Sequence, residues 1–427
     1  MREDLLHFIW KYKKLAVENL FTAEGERVEL LNVGTHNHLA GPDFFNAKIK
    51  IDGQLWAGNV EIHLKSSDWF AHGHEKDPNY NNVILHVVWE HDIDIFCSNN
   101  VRLPCLELNK YIPKNILSGY EKLFDKRDVS FINCEKSIAQ TNVFLINNWL
   151  ERLYFERLEQ KSGYVHDLLQ ESNNDWEQVL FKLLLRNFGS KINGQAFLTL
   201  GNALPFKTVR KLSSKAFRLE SVLLGMSHLL SSNDTVDDYY IQLKNEYEHQ
   251  RLKYSLDSQG VLKPDFFKLR PANFPTVRLS QLAHLYALHD SLFEKIIAAS
   301  TIDELYNIFE VNASPYWNNH FTFGKVSKNS MKKLTKKFVD LLIINTVLPL
   351  KFCHARAIGK DANDLIIEII KKLSPELNSV ILNFKKQGVS VSNGMDSQSL
   401  LQLYNLYCSK NRCLQCRIGA SLLEGNV

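Results

Sequence analysis

Apolar residues recur at three- and four-residue steps over residues 1–20, where Leu5, Leu6, Ile9, Trp10, Leu15 and Leu20 predict a helical opening. From about residue 27 to 108 the period falls to two. That alternation predicts strands at 28–33, 44–51, 60–64, 83–89, 93–97 and 105–108, with turns at Asp52-Gly53 and Asn99-Asn100. Beyond residue 113 the helical period returns and predicts helices over 147–160, 175–188, 217–230, 236–254, 276–299 and 332–348. Asp175 and Thr301 read as N-caps, and Glu304 stands three residues after Thr301, the spacing of a capping box. Two prolines in 268–278, KLRPANFPTVR, predict a rigid, non-helical connector. The fold class expected is α+β: an N-terminal mixed α/β sheet domain over residues 1–112, then a larger all-helical region over 113–427.

The strand pattern also sorts the chemistry. In GPDFFNAKIKIDGQLWAGNVEIHLK (41–65), Val60, Ile62 and Leu64 share one face of a strand, while Glu61, His63 and Lys65 share the other. Asp43 opens the preceding strand. Two carboxylates held close together can bind a divalent metal and activate water, so Asp43 and Glu61 are the expected hard ligands for Mg²⁺ or Mn²⁺. His63 or Lys65 would position the water and balance charge on an attacked phosphate. A solvated polar face is the alternative. A two-residue hairpin at Asp52-Gly53 pairs Ile51 with Gln54 and sets Asp43 opposite Ile62, on the wrong side from Glu61. The site therefore requires an irregularity in the hairpin. A three-residue loop, or a bulge for which Gly58 is the expected place, would set Asp43 opposite His63.

His36, His38, His63, His72, His74 and His86 fall close together and form a pool of further metal ligands. His86 also reads as a hydrogen-bonded core histidine, and His72 and His74 as members of a surface loop. A second constellation stands near the end of the chain, where Cys408, Cys413 and Cys416 are spaced C-x4-C-x2-C. That interval suits an iron–sulfur cluster or Zn²⁺ with a distant fourth thiolate, for which Cys353 is the first candidate and Cys97, Cys105 or Cys134 the substitutes; buried, unligated thiols are the alternative. Arg270 and Arg278 bracket the two prolines and could clamp a phosphate, or simply pair with carboxylates. The lysines at 332, 333, 336 and 337 could touch a nucleic-acid backbone or lie on a solvated helix face.

Composition narrows this modestly. A net charge of +4 over 427 residues allows a nucleic-acid partner without requiring one. The first residues lack the order of a secretory signal, and the most apolar window, 338–352, is shorter than a bilayer span. Seven cysteines do not read as a disulfide framework. A cytoplasmic protein that does not enter membranes is expected, with its oligomeric state left open. There is no Gly-rich phosphate loop and no serine nucleophile elbow.

Two resemblances follow from these segments. HFIWKYK, GPDFFNAKIKIDGQLWAGNVEIHLKSSDWFAHGHEKD, VILHVVWEHD, KLRPANFPTVRLSQLA, LIINTVLPL and YCSKNRCLQCRIG together resemble an uncharacterised bacterial family, a domain of unknown function, along almost the whole chain. The first domain alone resembles the PD-(D/E)xK nuclease core: Pro42-Asp43 matches its first element, and Glu61-Ile62-His63 matches its second with histidine in the lysine position. What that resemblance implies is metal-dependent phosphodiester hydrolysis. The other readings of the chain are a non-enzymatic nucleic-acid or protein-binding scaffold, and a His-rich zinc hydrolase.

Overall fold

The period-two stretch builds a seven-stranded mixed sheet, and the later helical periods build a separate bundle; the protein is α+β. The computed structural model describes residues 1–97, 101–125, 129–231 and 237–425. The turn expected at Asn99-Asn100 and the helix start expected at Val236 lie outside those residues. Two compact units result, the first comprising residues 1–149, 382–389 and 403–427, the second 150–381 and 390–402. The first unit thus runs past residue 112 and takes in the C-terminal segment.

In the first unit, α1 (Glu3–Lys11) precedes β1 (Leu20–Phe21), β2 (Arg27–Asn32), β3 (Thr35–His36), β4 (Phe44–Ile51) and β5 (Gln54–Lys65). α2 (Asp68–Ala71), β6 (Val83–Glu90), β7 (Cys105–Glu107) and α3 (Lys114–Phe124) follow. The opening helix is shorter than its apolar spacing suggests, because Lys13 takes a positive φ and Leu20 already belongs to β1. Strand order is β1-β2-β4-β5-β6-β7, with β3 beside β4. β4 and β5 are antiparallel, whereas β5–β6 and β6–β7 are parallel.

Two chemistries line the two faces of β5. Val60 and Ile62 join Leu5, Leu6, Ile9 and Trp10 of α1 and Leu85 and Val87 of β6 in the main core. The opposite face carries Glu61 and His63 near a smaller apolar cluster of Trp69, Tyr80, Val83, Ile95 and Leu103. Residues 93–97 form no strand; Phe96 makes only an isolated bridge to Arg102, while Ile95 turns into the small cluster.

The second unit is mostly helical around Phe181, Phe188, Phe197, Phe309 and Trp317. It is not the all-helical region expected, since His320–Thr322 and Lys325–Val326 pair across a turn at Gly324 as a two-stranded antiparallel sheet. Asp175 caps the helix Trp176–Phe188 by accepting from the Glu177 and Gln178 N–H groups. Thr301 and Glu304 form the expected capping box. The connector at 268–278 is helical at both prolines: a 3-10 turn covers Pro271–Asn273, and the helix Pro275–Leu288 starts at the second. Proline serves at a helix start because its missing N–H would be unpaired there anyway. The apolar window at 338–352 belongs to a longer helical run, Lys336–Ala357, which passes through a π turn at Ile343–Val347. Its length would suffice for a bilayer, but most of it is buried within the structure.

A candidate metal centre on the polar face of the sheet

The register of β4 against β5 starts as the hairpin dictates, with Ile51 opposite Gln54, and then shifts by one residue between Ala47 and Phe44. Two residues of β4, Phe45 and Asn46, there oppose the single Asn59. Asn46 takes φ +59°, a conformation asparagine tolerates better than most residues, and its N–H donates to Asn59 Oδ1. The bulge lies on the strand opposite the one expected to carry it, and it sets Asp43 across from Glu61 instead of His63. Each carboxylate accepts a backbone proton beside the other: the Asp43 N–H donates to Glu61 Oε2 and the Ile62 N–H to Asp43 Oδ2, both at 3.0 Å.

Gly58 has a different task. A Cβ there would come within 2.4 Å of Ile84 Cγ2 and 2.5 Å of the Asn82 carbonyl oxygen, so glycine lets β6 approach. The parallel pairing then places His86 next to Glu61. His63 Nδ1 lies 2.8 Å from His86 Nε2, and both rings are buried. If His63 donates through Nδ1, its Nε2 lone pair is free to face the remaining polar groups, the usual way a second ring fixes a ligating imidazole.

α2 brings in the other two histidines. His72 caps its C-terminus, Gly73 turns the chain at φ +73°, and His74 follows. His72 Nδ1 stands 3.0 Å from His63 Nε2. His74 Nε2 stands 3.3 Å from Glu61 Oε1, which is 3.5 Å from His63 Nε2. Donor atoms bonded to one tetrahedral ion at about 2.0–2.1 Å are separated by about 3.3 Å. The ligand atoms of His63, His72 and His74 form one group with metal-like spacing. His74 Nε2 is buried without a well-directed hydrogen bond, and its ring is fixed by stacking on Tyr80 and an edge contact with Trp69.

Burial and mutual proximity shift the titration of these groups. Burial, then repulsion from Asp43, pushes the Glu61 carboxyl up to about 9. Burial and the neighbouring His72 and His74 push His63 down to about 3, and burial holds His86 well below the ordinary imidazole range. His63 and His86 are therefore held in the neutral form, the form in which imidazole ligates metals. His7 differs: burial opposes its charge, but Asp43, 3.1 Å away, more than compensates and raises its pKa. His7 was not among the candidates read from the sequence, although EDLLH places it one turn after Glu3 and Asp4 on the polar side of α1. His36 stacks on Phe44 beside His7 and His38, at the Asp43 end of the cluster.

Other expected residues are placed elsewhere. The Lys65 ammonium is exposed and faces Glu90 at 3.5 Å. Arg278 is buried in the second unit, bonded to Asn273 and Gln281 and stacked over Phe338, so it closes the connector instead of presenting a phosphate clamp; Arg270 is exposed. Lys332 is buried and donates to the Asn318 and Ser330 carbonyls. Cys353 belongs to the second unit, where its thiol donates to the Ser162 carbonyl. Glu24, His91 and Asp94 also cluster, but Arg102 bridges the two carboxylates there.

Asp92 anchors the turn that leads to the histidine loop, accepting from the Ser66 hydroxyl, the Ser67 N–H and the Ser67 hydroxyl. Burial opposes its charge, but the Ser67 and Ser66 hydrogen bonds outweigh that and hold it at about 2, against 3.8 ordinarily. A depressed carboxylate stabilises the fold above its unfolded value and loses that contribution as pH falls through its folded value. Asp92→Ala is therefore expected to cost on the order of 1 kcal/mol at neutral pH, allowing for solvent screening at this exposed site. In denaturant titrations the gap to the parent protein should narrow as pH drops from about 4 towards 2; a constant gap would assign the loss to packing.

A family model described as a protein of unknown function (DUF2851) matches residues 3–379. No curated protein and no solved structure matches. The chain belongs to that family of unknown function.

Proposed function

Given membership of a family with no assigned activity, we propose that the first unit is a divalent-metal-dependent hydrolase acting on phosphodiesters. The carrying observation is that His63, His72 and His74 offer ligand atoms within 4.8 Å of one another, with Glu61 Oε1 3.5 Å from His63 Nε2 and 3.3 Å from His74 Nε2. Three nitrogens and one carboxylate form a donor set that favours Zn²⁺ or Mn²⁺ over Mg²⁺. A bound ion of this kind supplies a Lewis acid that activates water at neutral pH. His86 orients His63, and Tyr80 and Trp69 wall the centre on its apolar side. Asp43, paired with His7, lies next to Glu61 and is the group best placed to accept a proton.

The phosphodiester as substrate rests on the nuclease-like order of elements. An antiparallel hairpin sets an Asp opposite a Glu-x-His strand, and a parallel strand follows. In this reading the histidine loop supplies ligands that the nuclease resemblance alone did not include. The test is metal content, with hydrolysis of single- and double-stranded nucleic acid, for the parent, His72→Ala and His74→Ala. Each variant is expected to lose metal at least about 10-fold and to lose hydrolysis with it. Metal retained in both variants would return the site to Asp43 and Glu61 alone. A parent protein that holds no metal would favour the scaffold.

A further inference from the structure

In the first unit, a cysteine from the middle of the chain meets the three near its end. Cys134 opens a turn in which its carbonyl accepts from the Ser137 and Ile138 N–H groups. The preceding Asn133 reaches across to the C-terminal segment, donating to Asn411 Oδ1 at 3.3 Å and Cys413 Sγ at 3.5 Å. Cys413 starts a 3-10 turn, and the Cys416 N–H donates to its carbonyl. Cys416 is the N-cap of the helix Arg417–Glu424. Gly419 allows that helix to lie against the turn, since a Cβ there would meet the Cys413 carbonyl oxygen at 2.2 Å.

All four sulfurs interact with one another. Burial first, and then mutual repulsion, raises the thiol pKa values: Cys413 and Cys416 act on Cys134, all three others act on Cys408, and Cys413 acts on Cys416. N–H groups of Gly419 and Ile418 bond to the Cys416 sulfur, and Asn133 to that of Cys413, so two of the sulfurs already receive donors suited to a thiolate. Thiolates on a single zinc, bonded at 2.3 Å, stand about 3.8 Å apart. Among the described residues the groups of three or more such ligand atoms within 4.8 Å of one another are the two already named, and the cysteines are not among them. Sulfurs that interact in every pairing yet stand wider apart suit a cluster of several irons, which holds its thiolates at its corners.

From this geometry and the C-x4-C-x2-C spacing we infer that Cys134, Cys408, Cys413 and Cys416 ligate an iron–sulfur cluster. The site does not depend on the reading of the histidine centre. It would join residue 134 to a C-terminal segment that lies beyond the part of the chain matched by the family. A four-thiolate cluster is anionic, and the basic residues Lys410, Arg412 and Arg417 lie within and beside the cysteine run.

The test begins with the full chain purified anaerobically and, if iron-poor, reconstituted with ferrous iron and sulfide. Iron and acid-labile sulfide in equal amounts, with visible charge-transfer absorbance, are expected. Cys134→Ala should lower both at least about 10-fold, while Cys353→Ala leaves them unchanged. Should Cys134→Ala fail to fold, alkylation of the parent protein followed by peptide mass spectrometry decides. Cys134, Cys408, Cys413 and Cys416 are expected to be protected until iron is chelated. Labelling of Cys134 that ignores iron, stoichiometric zinc without sulfide, or no metal after reconstitution would each overturn the assignment.

Discussion

Glu61→Gln is expected to reduce metal retention by about 100-fold or more and to abolish hydrolysis, without loss of the fold. Glutamine has the same shape and keeps an oxygen that can accept the Asp43 N–H, so the bulged end of the hairpin stays anchored. What it removes is the carboxyl within 3.5 Å of both His63 Nε2 and His74 Nε2, which can give up its proton to a bound cation and then carry a negative charge where glutamine cannot. Neutral imidazoles alone hold a divalent ion without offsetting its charge, and in a buried site that charge is costly. The readout is a pair of melting curves with and without added Zn²⁺. A ligand present at a hundred times its dissociation constant stabilises by about 2.7 kcal/mol, so the parent should show a clear upward shift and the variant little. An equal shift in both would remove Glu61 from the ligand set; a variant already unfolded at room temperature would make it a structural group.

Most of what the sequence made legible was local. The period of two located β4 and β6 to within a residue but only the second half of β5, which starts six residues earlier at Gln54, and the Asp-Gly turn fixed the first pair of the hairpin. Even the need for a bulge followed from counting. Its position did not, because the extra residue can sit on either strand: Asn46 accepts the positive φ, while Gly58 is shaped by Ile84 and Asn82 of a segment that is not its hairpin partner. His7 was missed for a related reason. Its partner Asp43 is far away in sequence, and the helix pattern was read for its apolar positions only. The C-terminal cysteine run showed three members of the proposed set and left the fourth open between Cys353, Cys97, Cys105 and Cys134; which of these lies with them is a property of the tertiary fold, and it is Cys134. Where the expected 276–299 helix breaks, a short segment at 289–291 separates Pro275–Leu288 from Leu292–Ala298, a break that apolar spacing alone does not reveal.

Gly58→Ala is expected to be the most damaging single-methyl change in the sheet, costing about 3 kcal/mol. The added Cβ would meet two atoms of different character. Ile84 Cγ2, at 2.4 Å, ends a side chain that has some freedom to turn away. The Asn82 carbonyl oxygen, at 2.5 Å, belongs to the backbone at the start of β6, and that carbonyl also accepts from the Asn59 N–H. Moving it strains the β5–β6 pairing at the end from which His86 is aligned with Glu61 and His63. The two contacts can be separated. Ile84→Ala placed on top of Gly58→Ala removes the first clash and leaves the second, so only partial recovery of the denaturation midpoint is expected. Full recovery would mean that the side chain alone sets the limit, and the backbone approach would then play no part in requiring glycine. Metal retention provides the link to function. If the register of β6 positions the centre, the variant should hold metal less well even under conditions where it remains folded, because the displaced His86 no longer fixes the ring of His63.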